Sequence, residues 1–521
     1  MQQKIRKIIV QAGGRGSRMG YLTDHKPKCL VPVDNRPVLF HLMERYPDCR
    51  FLIIGDYQVD VLERYLMAFA PAPFQVIRAF GRGNCAGLRQ ALESVEDDEP
   101  FALIWSDLIL GSGNVLKEAA RMEGDCIGVA PGLSCRYRFR AGRVEPVASD
   151  TDGVAGLFVF RRKAVLDRVP PEGEFADFLV WQAPPLVPLI LEGAREVGTL
   201  AQFEQAFSGE HRSRSFNRVV MEADRVRKEP LDEQGRMLAG RETLWYREVA
   251  RTGFDRMPRI LGEDPLVLER IEGFHPFQLD RARAAGLSPE AMLPPLMDLL
   301  ADLHSRGRVP ADQDGVLETY ARKTFHRLDQ IRDLVPGAAD PLLTVNGKRC
   351  MGAWALKEEM AAQAARMSFR TFTVIHGDPT FSNILFRSDG SGPVLLDPRG
   401  YFGREGIHGD PAYDYAKLYY SLVGRYDKVN RGEFRLRLED TGIWVDVAPN
   451  GWEALGEAFF DRLPPEVPRE DVLFLHGVIW LSVTTYFREN YDAICAAYYL
   501  GCYHLQLWKE ALDANPTARS D

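Results

Sequence analysis

KIIVQAGGRGSRMG, residues 7–20, is the stretch from which the first half of the chain can be read. A β-prone apolar run ends at Gln11. Ala12 then leads into Gly13, Gly14 and Gly16, three glycines close enough together for the backbone to turn its N–H groups toward one anion. Arg18 and Lys28 follow, cations within reach of the same phosphates. No GxxxxGK[ST] motif is present, and Met19 stands where a GxGxxG fingerprint needs its third glycine. By itself a GGRG tetrapeptide is also compatible with a solvated turn, so its surroundings decide the reading.

Outward from this loop, β-rich runs alternate with helical patterns. FLIIG (51–55), FQVIRAF (74–80), FALIWSD (101–107) and VAGLFVF (154–160) are strand candidates, and VDVLERYLMAF (59–69) has helical spacing. This rhythm predicts a parallel or mixed sheet covered by helices. The polar run SGEHRSRS (208–215) is the expected linker between a first domain at 1–207 and a second at 216–521. Beyond it RVVMEADRVRKEPLD reads as a hairpin, RETLWYREVA as a helix, and helical patterns dominate from about Pro289.

The 521 residues exceed what a single core organises, and 45% hydrophobic with 26% charged content fits a folded protein. A net charge of -8 argues against a nucleic-acid partner. No apolar run approaches a membrane span, and the N-terminus lacks the apolar core of a secretory signal. Eight scattered cysteines without a CxxC pair read as reduced thiols, placing the chain in the cytoplasm. The composition leaves oligomerisation open.

Taken together, Ala12 to Arg18, the Pro27-Lys28 pair and CLVPV resemble the signature of sugar-phosphate and phosphocholine-type nucleotidyltransferases. The resemblance covers roughly residues 1–205 and implies a Rossmann-like α/β domain. It implies that Ala12, Gly13, Gly14, Gly16 and Arg18 hold a nucleoside triphosphate, UTP or CTP, while Lys28 contacts the reacting phosphates. GNCAGLRQALE (83–93) is similar to the base-binding segment, with Gly83 and Asn84 in it; Asn84 and Cys85 depart from the usual GTAGAL. IWSDL supplies Asp107 as a magnesium ligand, and REVGTL puts Glu196 where the family has an aspartate. Two rival readings are weaker. GRGNCA (81–86) matches GxGxxA, which would make a nicotinamide domain but leave the opening loop unexplained, and Asp107 alone would serve as a turn residue or helix cap.

A second phosphate-handling pattern begins at HGDPTFSNILF, residues 376–386. Asp378, Asn383 and Asp397 follow the order in which kinase-like folds place the aspartate that orients the acceptor hydroxyl, a metal-binding asparagine and a magnesium aspartate. Over about 212–510 the chain resembles the aminoglycoside phosphotransferase and choline kinase superfamily. That resemblance implies a two-lobed protein-kinase-like fold, with an N-lobe at about 216–273 and a C-lobe at 274–521. It implies Lys228 as the ATP-phosphate lysine and Glu242, or alternatively Glu248, as its ion-pair partner. Glu269 then lies in the hinge LVLERIEG (266–273), and SRSFN (213–217) occupies the phosphate-loop position without glycine. His376, Asp410 and Asp414 read as bracing residues. The aromatics of 478–508 read as packing in preference to an amine cage. Pro398 and Arg399 replace the aromatic and acid that follow the magnesium aspartate in choline kinases.

The two patterns predict consecutive steps. ATP and magnesium would phosphorylate a small hydroxylated metabolite, foremost a sugar giving a sugar 1-phosphate. A magnesium-dependent nucleotidyl transfer would then yield an activated precursor for cell-surface glycan. Two alternatives stand beside this: a choline- or ethanolamine-type kinase with a cytidylyltransferase, and an active kinase carrying a degenerate regulatory first domain. A drug-modifying kinase is disfavoured, because inactivation of an antibiotic needs no second activation.

Overall fold

The computed structural model describes residues 4–182, 184–206, 217–367 and 371–514. Residues 208–215, and the SRSFN segment as far as Phe216, lie outside them. The chain divides into two compact units: residues 1–209 with 488–492, and residues 210–487 with 493–521.

In the first unit seven strands form one sheet: β1 (Lys7–Gln11), β2 (Arg50–Gly55), β3 (Phe74–Arg78), β4 (Phe101–Trp105), β5 (Asp125–Val129), β6 (Val154–Phe160) and β7 (Leu186–Ile190). Their order is β7-β5-β6-β4-β1-β2-β3. β6 runs antiparallel to both β4 and β5, while every other pairing is parallel. β1 lies inside the sheet with neighbours on both sides, and Ile8, Ile9 and Val10 have no exposed surface. That explains why KIIVQ reads as a continuous apolar run and not as an alternating one.

β1 is flanked by β2 on one side and β4 on the other, so successive connections leave it in opposite directions. A crevice opens at such a switch point, outside the carboxyl ends of the parallel strands. Gln11 and Trp105 are register partners there, and both following loops emerge at the same edge.

β5 and β7 were not expected from the sequence. DCIGV is short and follows a glycine turn. Pro188 interrupts the strand pattern of LVPLI, yet β7 pairs only with β5 as the sheet's edge, where a residue without an N–H is tolerated.

The second unit starts with a four-stranded antiparallel sheet in the order Asn217–Met221, Arg225–Pro230, Leu266–Glu269, Ile260–Glu263. The helix between its second strand and the rest runs over Glu233–Arg251, eight residues earlier than RETLWYREVA alone predicts. Asp232 caps it by accepting from Gly235 N at 2.7 Å, and the two glycines of EQGRMLAG had hidden its first turns.

The remainder is mostly helical, with buried helices at Pro289–His304, Pro411–Leu422 and Arg469–Val483. A further four-stranded sheet interrupts this helical part: Lys348–Met351, Leu342–Val345, Gly442–Val447 and Phe434–Glu439. Helical patterns were expected to dominate beyond Pro289, and this sheet is an addition that the expectation did not include. Of the aromatics in 478–508, Trp480, Tyr491, Tyr498, Tyr499 and Trp508 are fully buried, whereas Tyr486 is 58% exposed. All eight cysteines are buried and free. No described helix is long and apolar enough to cross a membrane.

Candidate functional site

The glycine loop leaves β1 directly above the switch point. Ala12 N donates to Ile54 O at 2.9 Å, which ties the loop's first residue to β2. Gly16 has φ 68°, and a Cβ there would lie 3.0 Å from Lys28 Cβ, so a side chain would both strain the turn and press on the lysine. A Cβ on Gly14 would meet nothing within 4 Å: this face of the loop is open. Gln11 Nε2 is buried without a hydrogen-bond partner at the same strand end, a polar group without a protein acceptor.

Lys28, Asp107 and Glu196 converge although they are far apart in sequence. The Lys28 ammonium bonds the Asp107 carboxylate. Glu196 arrives on the two-residue strand Arg195–Glu196, antiparallel to Leu108–Ile109, with Val197 N donating to Asp107 O at 3.0 Å. A small apolar cluster of Met19, Leu22, Val31, Val33, Val38, Ile109 and Val197 packs beneath and fixes these segments together. Burial, followed by the like charge of Asp107, raises the Glu196 carboxyl above its ordinary value, while Lys28, Arg18 and Arg136 pull it down. Arg136 therefore belongs to this electrostatic cluster, and the sequence reading missed it.

Among the described residues no three His, Cys, Asp or Glu side chains group as a metal site. Two facing carboxylates nonetheless fit magnesium, which takes hard oxygen donors and commonly uses one or two carboxylates, with phosphate oxygens and water completing its shell. Gly83 (φ 76°) lies against Gly173, whose oxygen would be 2.3 Å from a Cβ at position 83. The Asn84 side-chain oxygen accepts from Phe175 N at 2.6 Å. That residue's oxygen thus pins the 173–175 loop beside the glycine turn.

The second cluster lies wholly in the second unit. Lys228 bonds Glu242 at 2.6 Å and also the carboxylate of Asp397. Burial disfavours its charge, but Asp397 and Glu242 outweigh this and raise the lysine above its ordinary value. Glu248 pairs with Arg247 and Arg251 instead. Glu269, on the strand beside Arg225–Pro230, has its carboxylate on Arg259 at 2.9 Å.

Asn383 Nδ2 donates to Asp378 O at 2.8 Å and to its carboxylate at 3.1 Å, which leaves the amide oxygen as the donor atom for a metal. Leu396 N donates to Asn383 O at 2.8 Å, so the hairpin Ile384–Arg387/Pro393–Leu395 brings Asp397 beside Asn383. An amide oxygen and a carboxylate again suit magnesium.

The loop around Asp378 is rigidly backed. His376 N and Gly377 N donate to Asp414 at 2.7 and 2.8 Å, and Asp414 has no exposed surface. His376 is itself buried, which lowers its pKa, and its Nε2 lies 2.8 Å from Leu396 O. Asp410 caps the helix Pro411–Leu422. From the same helix Lys417 reaches Asp378 at 2.9 Å. Lys417 was missed, although Asp410, Asp414 and Lys417 stand at i, i+4 and i+7, the spacing of one helical face.

Residues 8–158 match the model of the MobA-like NTP transferase domain. Over 127 residues the chain is 31% identical to the UTP–glucose-1-phosphate uridylyltransferase AglF of Haloferax volcanii, covering 23% of this chain and 51% of AglF. Over 105 residues it is 29% identical to the bifunctional protein GlmU of Methanocaldococcus jannaschii, covering 19% of this chain and 24% of GlmU. The chain thus spans about half, or less, of the length of these curated relatives. Among solved structures, a UDP-glucose pyrophosphorylase with UDP-glucose aligns at 17% identity and TM-score 0.33, covering 39% of this chain and 97% of that one. An inositol-1-phosphate CTP transferase from T. maritima aligns at 18% and 0.33, covering 40% and 100%. Residues 8–158 of this chain carry a MobA-like NTP transferase domain.

Proposed function

We propose that the chain is a bifunctional enzyme, a kinase in residues 216–521 feeding a nucleotidyltransferase in residues 1–207. The observation that carries the first activity is the convergence of Arg18, Lys28, Asp107 and Glu196 beside the open glycine loop. The loop's N–H groups and Arg18 would bind the triphosphate of UTP or CTP, and Lys28 would neutralise charge on the phosphates as it develops. A phosphate oxygen of the acceptor attacks the α-phosphorus, the α–β anhydride bond breaks, and its electron pair leaves with pyrophosphate. Magnesium held by Asp107 and Glu196 would supply further charge neutralisation. Alignment and electrostatics suffice for this step, so no protein nucleophile is required.

The second activity rests on the Lys228–Glu242 pair and on Asp378 hydrogen-bonded to Asn383. Together with the sheet-and-helix segment that precedes the helical part, they support a two-lobed kinase-like reading. Lys228 would bind ATP phosphates. Asp378 would orient the acceptor hydroxyl and take its proton as the oxygen attacks the γ-phosphorus, the β–γ anhydride bond breaks and its electron pair leaves with ADP. Asn383 and Asp397 would hold magnesium. The product, foremost a sugar 1-phosphate, would be the first unit's acceptor and yield a nucleoside-diphosphate precursor of surface glycan.

Product analysis of the full chain with ATP, CTP or UTP and a panel of sugars and amino alcohols tests this reading. Lys28→Ala should accumulate the monophosphate. Asp378→Asn should make none, yet still convert a supplied monophosphate. A Lys28→Ala chain that also loses phosphorylation would refute the division of labour.

A further inference from the structure

Beside Asp378 lies a cluster of cations that neither activity has yet absorbed. Lys323 and Arg327 stand at i, i+4 on the helix Lys323–Ile331 and so share one face. Arg399 is built against the Asp378 loop: its N–H donates to His376 O at 2.9 Å, and a Cβ on Gly377 would lie 2.8 Å from its own Cβ. Its guanidinium donates to Tyr413 OH at 2.8 Å. Arg327 donates to Ser482 O and Oγ at 2.6 and 2.9 Å and lies 4.7 Å from the centre of the Tyr486 ring. Lys323 lies 5.2 Å from the centre of the Tyr401 ring.

None of these three cations forms a salt bridge with a carboxylate among the described residues, as neighbouring Arg241, Arg322 and Arg404 do. Asp378 attracts Arg399 and Glu318 attracts Lys323, and all three cations act on the Tyr486 phenol, which they bring down to about 7 although burial opposes it. They also repel one another. Burial, then Arg399 and Arg327, lowers Lys323 to about 7. Gathering partly desolvated like charges with no salt-bridged carboxylate is unfavourable, and a bound anion would offset that cost.

We propose that Lys323, Arg327 and Arg399 form an anion-binding subsite for the phosphoryl acceptor, so that the hydroxylated metabolite carries a carboxylate or phosphate of its own. This rests on the kinase reading of Asp378. Arg399, fixed to that loop through His376 O, would orient the anionic group relative to the hydroxyl under attack. The planar guanidinium of Arg327 offers a fork suited to an oxyanion. The same charges would reject choline or ethanolamine, by repulsion that a ring stack does not offset.

Isothermal titration of the full chain, with Mg·AMP-PNP present to fill the nucleotide sites, tests the proposal. Sulfate stands in for a phosphate group, acetate for a carboxylate, and choline for the opposite charge. We expect the wild type to bind sulfate or acetate at least tenfold more tightly than the Lys323→Gln/Arg327→Gln variant, and the preferred anion identifies the substituent. Unchanged AMP-PNP affinity in the variant shows that it is folded. Equal anion affinities in the two proteins, or choline bound in preference to both anions, overturns the proposal. The kinase reading fails separately, if Lys228→Ala leaves AMP-PNP affinity unaltered.

Discussion

Replacing Asp414 with alanine should release the loop that presents Asp378. The carboxylate accepts from His376 N and Gly377 N at 2.7 and 2.8 Å, lies 3.1 Å from His304 Nε2, and is wholly buried. Hydrogen bonds to a charged group contribute about 1.5–3 kcal/mol each, so losing the two backbone bonds costs the loop about 3–6 kcal/mol. At about 1.4 kcal/mol per tenfold, the opening equilibrium of residues 376–378 should rise about 100-fold or more. Hydrogen exchange followed by mass spectrometry on a peptide spanning 371–384 reads this directly, and the β2 peptide at 50–55 serves as an internal control. Faster exchange confined to the loop and its neighbours is the expected result. Wild-type protection at His376 and Gly377 would show that Asp414 does not hold the loop, and the reasoning from buried charge-assisted bonds would be refuted.

Gly83→Ala places a Cβ 2.3 Å from a backbone oxygen at a φ of 76°, so the 173–175 loop must shift. With strain and overpacking together costing about 2–4 kcal/mol, thermal unfolding of the first unit should occur at clearly lower temperature; an unchanged melting curve contradicts the packing described. Anion binding at the Lys323 cluster should weaken as pH rises. The ammonium must be charged to bind an anion, and burial with Arg399 and Arg327 brings its pKa to about 7, while Tyr486 and Glu318 act in the opposite direction. Tyr486, which the same cations bring down to about 7 against the effect of burial, becomes anionic over the same range and competes for them. Sulfate affinity should therefore be higher at pH 6 than at pH 8, Lys323→Gln should reduce the difference, and Lys323→Gln with Tyr486→Phe should abolish it.

The central strand and its glycine loop were legible because a buried parallel strand is a plain apolar run and its turn demands glycine. β2 and β4 are likewise buried apolar runs, whereas β3, a partly buried edge strand, and β6, an antiparallel one, were legible from their β-branched and aromatic residues. The sheet's edge was not, since Pro188 weakens the pattern and only the position of β7 outside β5 makes it harmless. In the second unit LLTVNGKRCM should have announced a hairpin: Asn346 and Gly347 both have positive φ, at 48° and 74°, as a tight two-residue turn requires. It was passed over because the surrounding segments are helical.

Asp378, Asn383 and Asp397 were visible because one loop and the hairpin that follows it bring all three within twenty residues. Lys417 and Arg136 were not, because each reaches its cluster from a different element. No local spacing encodes the pairing of Glu196 with Leu108 that brings its carboxylate to Asp107.

Pyrophosphate release is the most direct test of the central claim, that the loop of residues 12–18 with Lys28, Asp107 and Glu196 performs nucleotidyl transfer. The full chain should be incubated with magnesium, CTP or UTP, and a panel of sugar 1-phosphates and phospho-alcohols, with Asp107→Asn and Lys28→Ala in parallel. The account predicts acceptor-dependent pyrophosphate from the wild type and a loss on the order of a hundredfold or more in each variant. Acceptor-dependent release at the wild-type rate from both variants would contradict it.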